Sequence, residues 1–93
     1  MQLTHRQIEI FRAVMASGQV TRAALALHTS QPTVSRELAR LEQVLQMRLF
    51  DRVRGRLQPT ARALALHEEV ERSYVGLERI AATAQGLRQF VHA

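Results

Sequence analysis

The sequence predicts a mainly α fold: three short helices and a small β-hairpin, followed by one long helix. Three observations carry that expectation. Apolar residues recur three and four apart in successive segments, one short stretch between them is β-branched and aromatic without that period, and residues 60–93 contain no Pro. Ninety-three residues supply one core of ordinary size and not two. The expected division is a compact unit over 1–59 and a helical extension over 60–93.

In the first segment, Thr4 followed by Gln7 has the pattern of a capping box, and Ile8, Phe11, Val14 and Met15 recur at helical spacing before Ser17-Gly18 supplies a stop. The first helix is expected over about residues 5–17. Thr21 is expected to cap a second, short helix from Arg22 to about His28, whose Ala23, Ala24 and Ala26 are small enough to let another helix axis come close. Ser30 is expected to cap a third helix with Pro32 in its first turn and Val34, Leu38, Leu41 and Leu45 on its inner stripe, ending near Gln46. His28 stands in the turn between the second and third helices. A positive φ is awkward for any residue with a Cβ, so a slightly wider turn is expected there.

Leu49 to Val53 and Leu57-Gln58-Pro59 flank Gly55, which itself lies between Arg54 and Arg56, and this fits two short strands around a tight turn. From Thr60 onward Leu66, Val70, Ser73, Leu77, Ile80, Ala84, Leu87 and Val91 alternate four and three apart. A helix over 61–91 would be about 46 Å long at roughly 1.5 Å per residue, longer than the unit before it. The expected partner for most of its stripe is the same helix of a second copy, which makes Leu66 to Leu87 a dimerisation seam; the alternative is a helix that folds back on its own domain.

Composition narrows the function. The longest apolar run is the five residues Ala23–Leu27, and the start Met-Gln-Leu-Thr-His lacks a basic stretch leading into an apolar one. Neither a membrane span nor a signal peptide is expected, and the cytoplasm is the expected compartment. Cysteine is absent, which excludes disulfides and thiolate chemistry. His5, His28, His67 and His92 are isolated from one another, so no metal site, no cofactor and no catalysis are expected. All thirteen basic residues are Arg, and residues 1–59 carry nine of them against four acids, whereas residues 60–93 balance four against four. The positive field belongs to the compact unit alone, and the planar guanidinium fork suits phosphate oxygens and the guanine edge.

Helix, short helix, three-residue turn, helix is a helix-turn-helix order, and the hairpin after it is a wing. With the Val34–Leu45 stripe inward, Pro32, Arg36, Ala39 and Gln43 point outward and Thr33, Ser35 and Arg40 lie on the shoulders. That face carries no acid. Gln31 can donate to and accept from a base edge, Pro32 and the Thr33 methyl can meet a thymine methyl, and Arg36 can fork onto guanine or hold a phosphate. Arg48, Arg52, Arg54 and Arg56 stand against Asp51 alone in the hairpin, where they can supply salt-sensitive affinity or enter a minor groove. Thr21, Ser30, Gln31, Pro32, Thr33, Ser35, Arg36, Arg40, Arg52, Arg54 and Arg56 are the candidate DNA-contacting set. The expected activity is sequence-specific binding of duplex DNA by a homodimer on an interrupted inverted repeat. The competing expectation is an oligomerisation or partner-binding module built on the long helix.

Ala23-Ala24, Leu27-His28, Ser30-Gln31-Pro32-Thr33-Val34-Ser35-Arg36, Leu41-Glu42, Leu49-Phe50-Asp51-Arg52 and Pro59-Thr60 together resemble the N-terminal domain of LysR-type transcriptional regulators over nearly the whole chain. His28 to Leu41 with Arg52 to Leu57 is especially similar to the lysine-biosynthesis subfamily, which suggests a decarboxylase gene as target and diaminopimelate as signal. The resemblance implies a winged helix-turn-helix, DNA contacts at Gln31, Pro32, Thr33, Ser35 and Arg36, and a linker helix paired antiparallel with its counterpart. It also implies a larger effector-binding domain that residues 1–93 do not contain, so that an inducer would act only through that domain. Ala63 departs from the Gly common in the family, which puts a close backbone approach there in doubt.

Overall fold

The computed structural model describes residues 1–90; Val91 and His92 lie outside them. The elements are α1 (His5–Ser17), α2 (Val20–Ala26), α3 (Gln31–Leu45), β1 (Phe50–Val53), β2 (Arg56–Pro59) and α4 (Ala61–Phe90). Helix α1 starts on the expected capping box: the Thr4 hydroxyl accepts from the Gln7 amide at 3.1 Å, and the Gln7 side chain accepts from the Thr4 amide at 3.0 Å. It ends where Gly18 turns left-handed at φ 71° and its N–H reaches the Val14 carbonyl.

Helix α2 begins earlier than expected. Its cap is Gln19, with no side-chain bond, and Thr21 lies exposed inside the first turn. Gly18 delivers the chain to Gln19 already extended, and Ser17 braces that corner by donating to the Ala13 carbonyl at 2.9 Å and accepting from the Gln19 amide at 3.3 Å. Val20 can therefore enter the helix and pack on the core at once.

The turn after α2 is not widened. His28 adopts φ 54° while its N–H bonds to the Leu25 carbonyl at 3.2 Å and the Thr29 N–H to the Ala24 carbonyl at 2.9 Å. These are the two bonds of a Schellman closure, and together they outweigh the cost, roughly 1–2 kcal/mol, of a left-handed residue with a Cβ. Helix α3 ends the same way at Gln46, φ 55°, with bonds from Gln46 to Gln43 and from Met47 to Glu42.

One core joins all the elements. Phe11, Ile10 and Val14 from α1, Val34, Leu38 and Leu41 from α3, and Leu49 and Phe50 from the base of the hairpin are buried, with Ala23 and Ala24 at the close helix crossing. Ile10 was not on the expected stripe of α1; Ile8 and Met15, which were, are only half-buried. The hairpin pairs Val53 with Arg56 and Phe50 with Pro59, so Arg54 and Gly55 form the two-residue turn, both left-handed as a type I′ turn requires.

Helix α4 starts on Thr60, whose hydroxyl accepts from the Ala63 amide at 3.2 Å and donates to the Arg48 carbonyl at 2.8 Å. Ala63 is fully buried, so its Cβ is accommodated where a closer approach was in doubt. The stripe of α4 divides. Val70 is buried and Leu66 packs against the core, so the domain itself covers much of the start of the stripe expected as a dimerisation seam, because the first half of the helix lies across α1. Ser73, Leu77, Ile80, Ala84 and Leu87 are exposed, and the molecule extends 57 Å along an axis against 25 and 21 Å across.

Glu71 fixes α4 to α1. Arg12 donates from Nε to its Oε1 at 2.7 Å and from the guanidinium end to its Oε2 at 3.1 Å, and the same guanidinium lies 4.0 Å from the centre of the Tyr74 ring. The hydrogen bond from Arg12 holds the Glu71 carboxyl below its ordinary value of 4.5, against the opposing effect of burial.

Two outcomes are expected. Folding lowers the Glu71 pKa, so its contribution to stability is complete above pH 4.5 and fades as pH falls through the lower folded value. Denaturant unfolding between pH 3 and 7 should show a shallower acid limb in Glu71→Gln than in the wild type; an unchanged limb would remove the pair from the balance. His28→Gly should raise the thermal midpoint, with a gain of about 0.5–1 kcal/mol from relief of the left-handed Cβ, whereas His28→Val should lower it.

Candidate nucleic-acid interface

Helix α3 is fixed at its start by Ser30, which accepts from the Thr33 amide at 3.3 Å and shares a 2.9 Å hydroxyl contact with Thr33. The Ser30 hydroxyl is thereby committed to the cap, and Pro32 occupies the first turn where its missing N–H costs no helix bond. With Val34, Leu38 and Leu41 buried, Gln31, Pro32, Ser35, Arg36, Ala39, Arg40 and Gln43 are the exposed residues of α3 up to Gln43, and none is acidic. Thr33 is half-buried. The helix's nearest acid, Glu37, is mostly covered and binds sideways to Arg40 at 2.9 Å and more loosely to Arg36 at 3.9 Å. Arg40 therefore has an intramolecular partner that sequence reasoning did not assign it, and Arg36 keeps most of its freedom.

The wing lies beside this face. Ser35, Ala39 and Glu42 of α3 line one groove with Arg48, Arg52 and Leu57 of the hairpin. Arg48 is drawn back onto Asp51 at 3.2 Å, while Arg52, Arg54 and Arg56 make no ion pair among the described residues. Arg54 sits at the tip of the turn with φ 53°. A residue with a Cβ is held left-handed at this exposed tip at a conformational cost. Thr21 is exposed on α2, as is Arg22, which also has no ion pair among the described residues. Sequence reasoning passed over Arg22; the signal that could have found it is its place in the first turn of the helix that precedes the turn.

The hairpin is held from both edges. Its β1 edge gives the Leu49 and Phe50 amides to one carboxylate oxygen of Glu42, at 2.7 and 3.3 Å. Its β2 edge gives the Leu57 amide to the Gly18 carbonyl at 3.1 Å. From charge alone, Glu42 is a candidate ion-pair partner for the wing arginines. Its actual partners are backbone groups, which no charge pattern discloses.

Known proteins agree with this geometry. The model of the bacterial regulatory helix-turn-helix proteins, lysR family, matches residues 5–64. The transcriptional activator protein LysR of Escherichia coli K12 is 62% identical over 85 residues, 91% of this chain and 27% of that protein. The chain thus spans little more than a quarter of that relative's length. In a crystal structure of the CbnR DNA-binding domain in complex with DNA, the protein chain superposes with a TM-score of 0.80 at 30% identity, covering 90% of this chain and 97% of that one. The BenM DNA-binding domain, crystallised with catB site 1 DNA, shares the fold with a TM-score of 0.84 at 21% identity, covering 91% of this chain and 96% of that one.

Proposed function

Because this chain belongs to the lysR family of bacterial regulatory helix-turn-helix proteins, a family of regulators and not of enzymes, we propose that residues 1–59 bind duplex DNA by sequence at promoters. In this reading α3 enters the major groove, the wing grips the backbone or the adjacent minor groove, and residues 60–93 join two copies. One observation carries it: an α3 face without exposed acid, beginning at Gln31, borders the same groove as a wing whose Arg52, Arg54 and Arg56 have no ion pair among the described residues. Those arginines are available to phosphates.

The parts divide by chemistry. Gln31, Pro32, Ser35 and Arg36 offer hydrogen-bonding and apolar groups to base edges, and Thr33 sits beside them. Arg54 and Arg56, with Arg22 on the other flank, hold the register through charge. Thr21, Ser30 and Arg40 serve at the rim, the last two through groups partly committed within the chain. The action is cytoplasmic, where promoters are. A small-molecule inducer acts through the part of the relatives' length that this chain does not span.

The exposed half of α4 supports self-association. Leu77, Ile80 and Leu87 are 51%, 66% and 60% exposed on one stripe with Ala84, and no other element among the described residues covers them. An antiparallel pair of such helices places two α3 faces on one side of a duplex, which favours an interrupted inverted repeat.

Duplexes selected by the chain from a randomised pool, read by fluorescence anisotropy against scrambled duplexes at moderate salt, test the reading. The selected pool should contain an interrupted inverted repeat, and equal affinity for both sets would refute specific binding. Arg36→Ala should reduce discrimination between the sets by roughly tenfold or more, while Arg54→Ala should weaken both alike and reduce the salt slope by about one. Leu77→Glu with Ile80→Glu should sediment as a monomer and bind more weakly, since linked half-sites gain from effective concentration. A dimeric double variant would place the interface elsewhere.

A further inference from the structure

We propose that Glu42 is the residue that positions the wing relative to α3, so that it determines whether the wing arginines reach the same duplex as the α3 face; this rests on the DNA-binding reading above. The argument starts from the ladder. A two-residue turn makes Val53 and Arg56 a hydrogen-bonded pair, and pairs then alternate along an antiparallel hairpin. Phe50 and Leu57 fall at positions whose N–H groups point out of the hairpin. Leu57 finds the Gly18 carbonyl, and Phe50 finds Glu42 Oε2, the oxygen that also takes the Leu49 amide at 2.7 Å.

Leu49 is fully buried and Phe50 nearly so, which leaves their amides little access to water. Without Glu42 two backbone donors at the root of the wing lose their acceptor. Glu42 lies on α3 one turn beyond Ala39 and two beyond Ser35, on the shoulder facing the wing. Its carboxylate is therefore a strut between the α3 surface and the strand that carries Arg52 and leads to Arg54.

An acid in this groove is otherwise a liability, because it stands beside Arg48 and Arg52 where a phosphate would be drawn. The bond geometry separates the two roles. One oxygen takes both amides, so the amide oxygen of Gln can replace it without the charge. Ala removes both oxygen and charge, and Asp keeps the charge on an arm one methylene too short.

The test measures anisotropy of the wild type, Glu42→Gln, Glu42→Ala and Glu42→Asp, each with and without Arg54→Ala, on the selected and scrambled duplexes, with amide exchange at Leu49 and Phe50. In the wild type and Glu42→Gln, Arg54→Ala should weaken binding about threefold to tenfold. In Glu42→Ala and Glu42→Asp it should cost less than about twofold, and the two amides should exchange faster. Equal behaviour of Glu42→Gln and Glu42→Ala would reduce Glu42 to a charge and overturn the proposal. So would an undiminished Arg54→Ala effect in the Ala and Asp backgrounds, or loss of folding in both by circular dichroism. Failure of the wild type to prefer the selected duplex would instead strike the DNA-binding reading, before any variant is made.

Discussion

The Phe11 ring is where this molecule closes. It is fully buried, its centre lies 6.0 Å from that of Phe50 at the foot of the hairpin and 6.3 Å from that of His67 on α4, and it stands beside Ile10 and Val14 on the helix that also crosses α2 and α3. A chain of this size builds one core, so every element must reach it. That requirement decides what remains outside. Helix α3 gives the core its Val34–Leu41 stripe with Leu45 at the margin, and the hairpin gives it Leu49 and Phe50 with Leu57 packed against them. Of the surfaces left over, Ser35 and Ala39 of α3 and Arg52 of the wing line one groove as a consequence of what has to be buried, with Arg54 and Arg56 further along the same hairpin.

The same constraint explains the division of α4. A straight helix falls about 20° short of two full turns in seven residues, so a stripe spaced four and three drifts by about 60° between Leu66 and Leu87. A small domain cannot follow a stripe that turns away from it and also runs beyond its end. Leu66 and Val70 therefore go to the domain, Arg12 and Tyr74 clasp the helix near its middle, and Leu77 onward is left to solvent. Spacing alone presents those seven positions as equivalent; the drift and the reach of the domain separate them.

What was legible in the sequence follows from which forces act locally. Thr4, Ser30 and Thr60 act within their own turns, and each caps its helix as its position suggests. The burial of Val34, Leu38 and Leu41 follows from period alone, and with it the outward set on α3. Tertiary geometry wrote the remainder. Thr21 has the chemistry of a cap, yet the left-handed Gly18 had already set the chain for a helix at Val20. His28 and Gln46 close helices in a conformation that favours glycine, because two hydrogen bonds at each closure exceed the cost of the Cβ. The bonds that the Leu49 and Phe50 amides donate to Glu42 span seven and eight residues and join backbone to a side chain, and neither period nor charge pattern registers such a contact.

Charge shows the limit most sharply, because a net value says nothing of where charge is already spent. Of the arginines in residues 1–59, Arg6, Arg12, Arg36, Arg40 and Arg48 stand within 4 Å of a carboxylate, several as partners three residues apart on one helix or turn. Such exposed pairs add little to stability, about 0–1 kcal/mol each. Arg22, Arg52, Arg54 and Arg56 have no such partner among the described residues, and the last three lie on β1, the turn and β2 of one hairpin. The positive field of the compact unit is therefore narrower than its count of arginines suggests. It is concentrated on a hairpin whose root is tied by hydrogen bonds to α3 on one side and to the α1–α2 corner on the other.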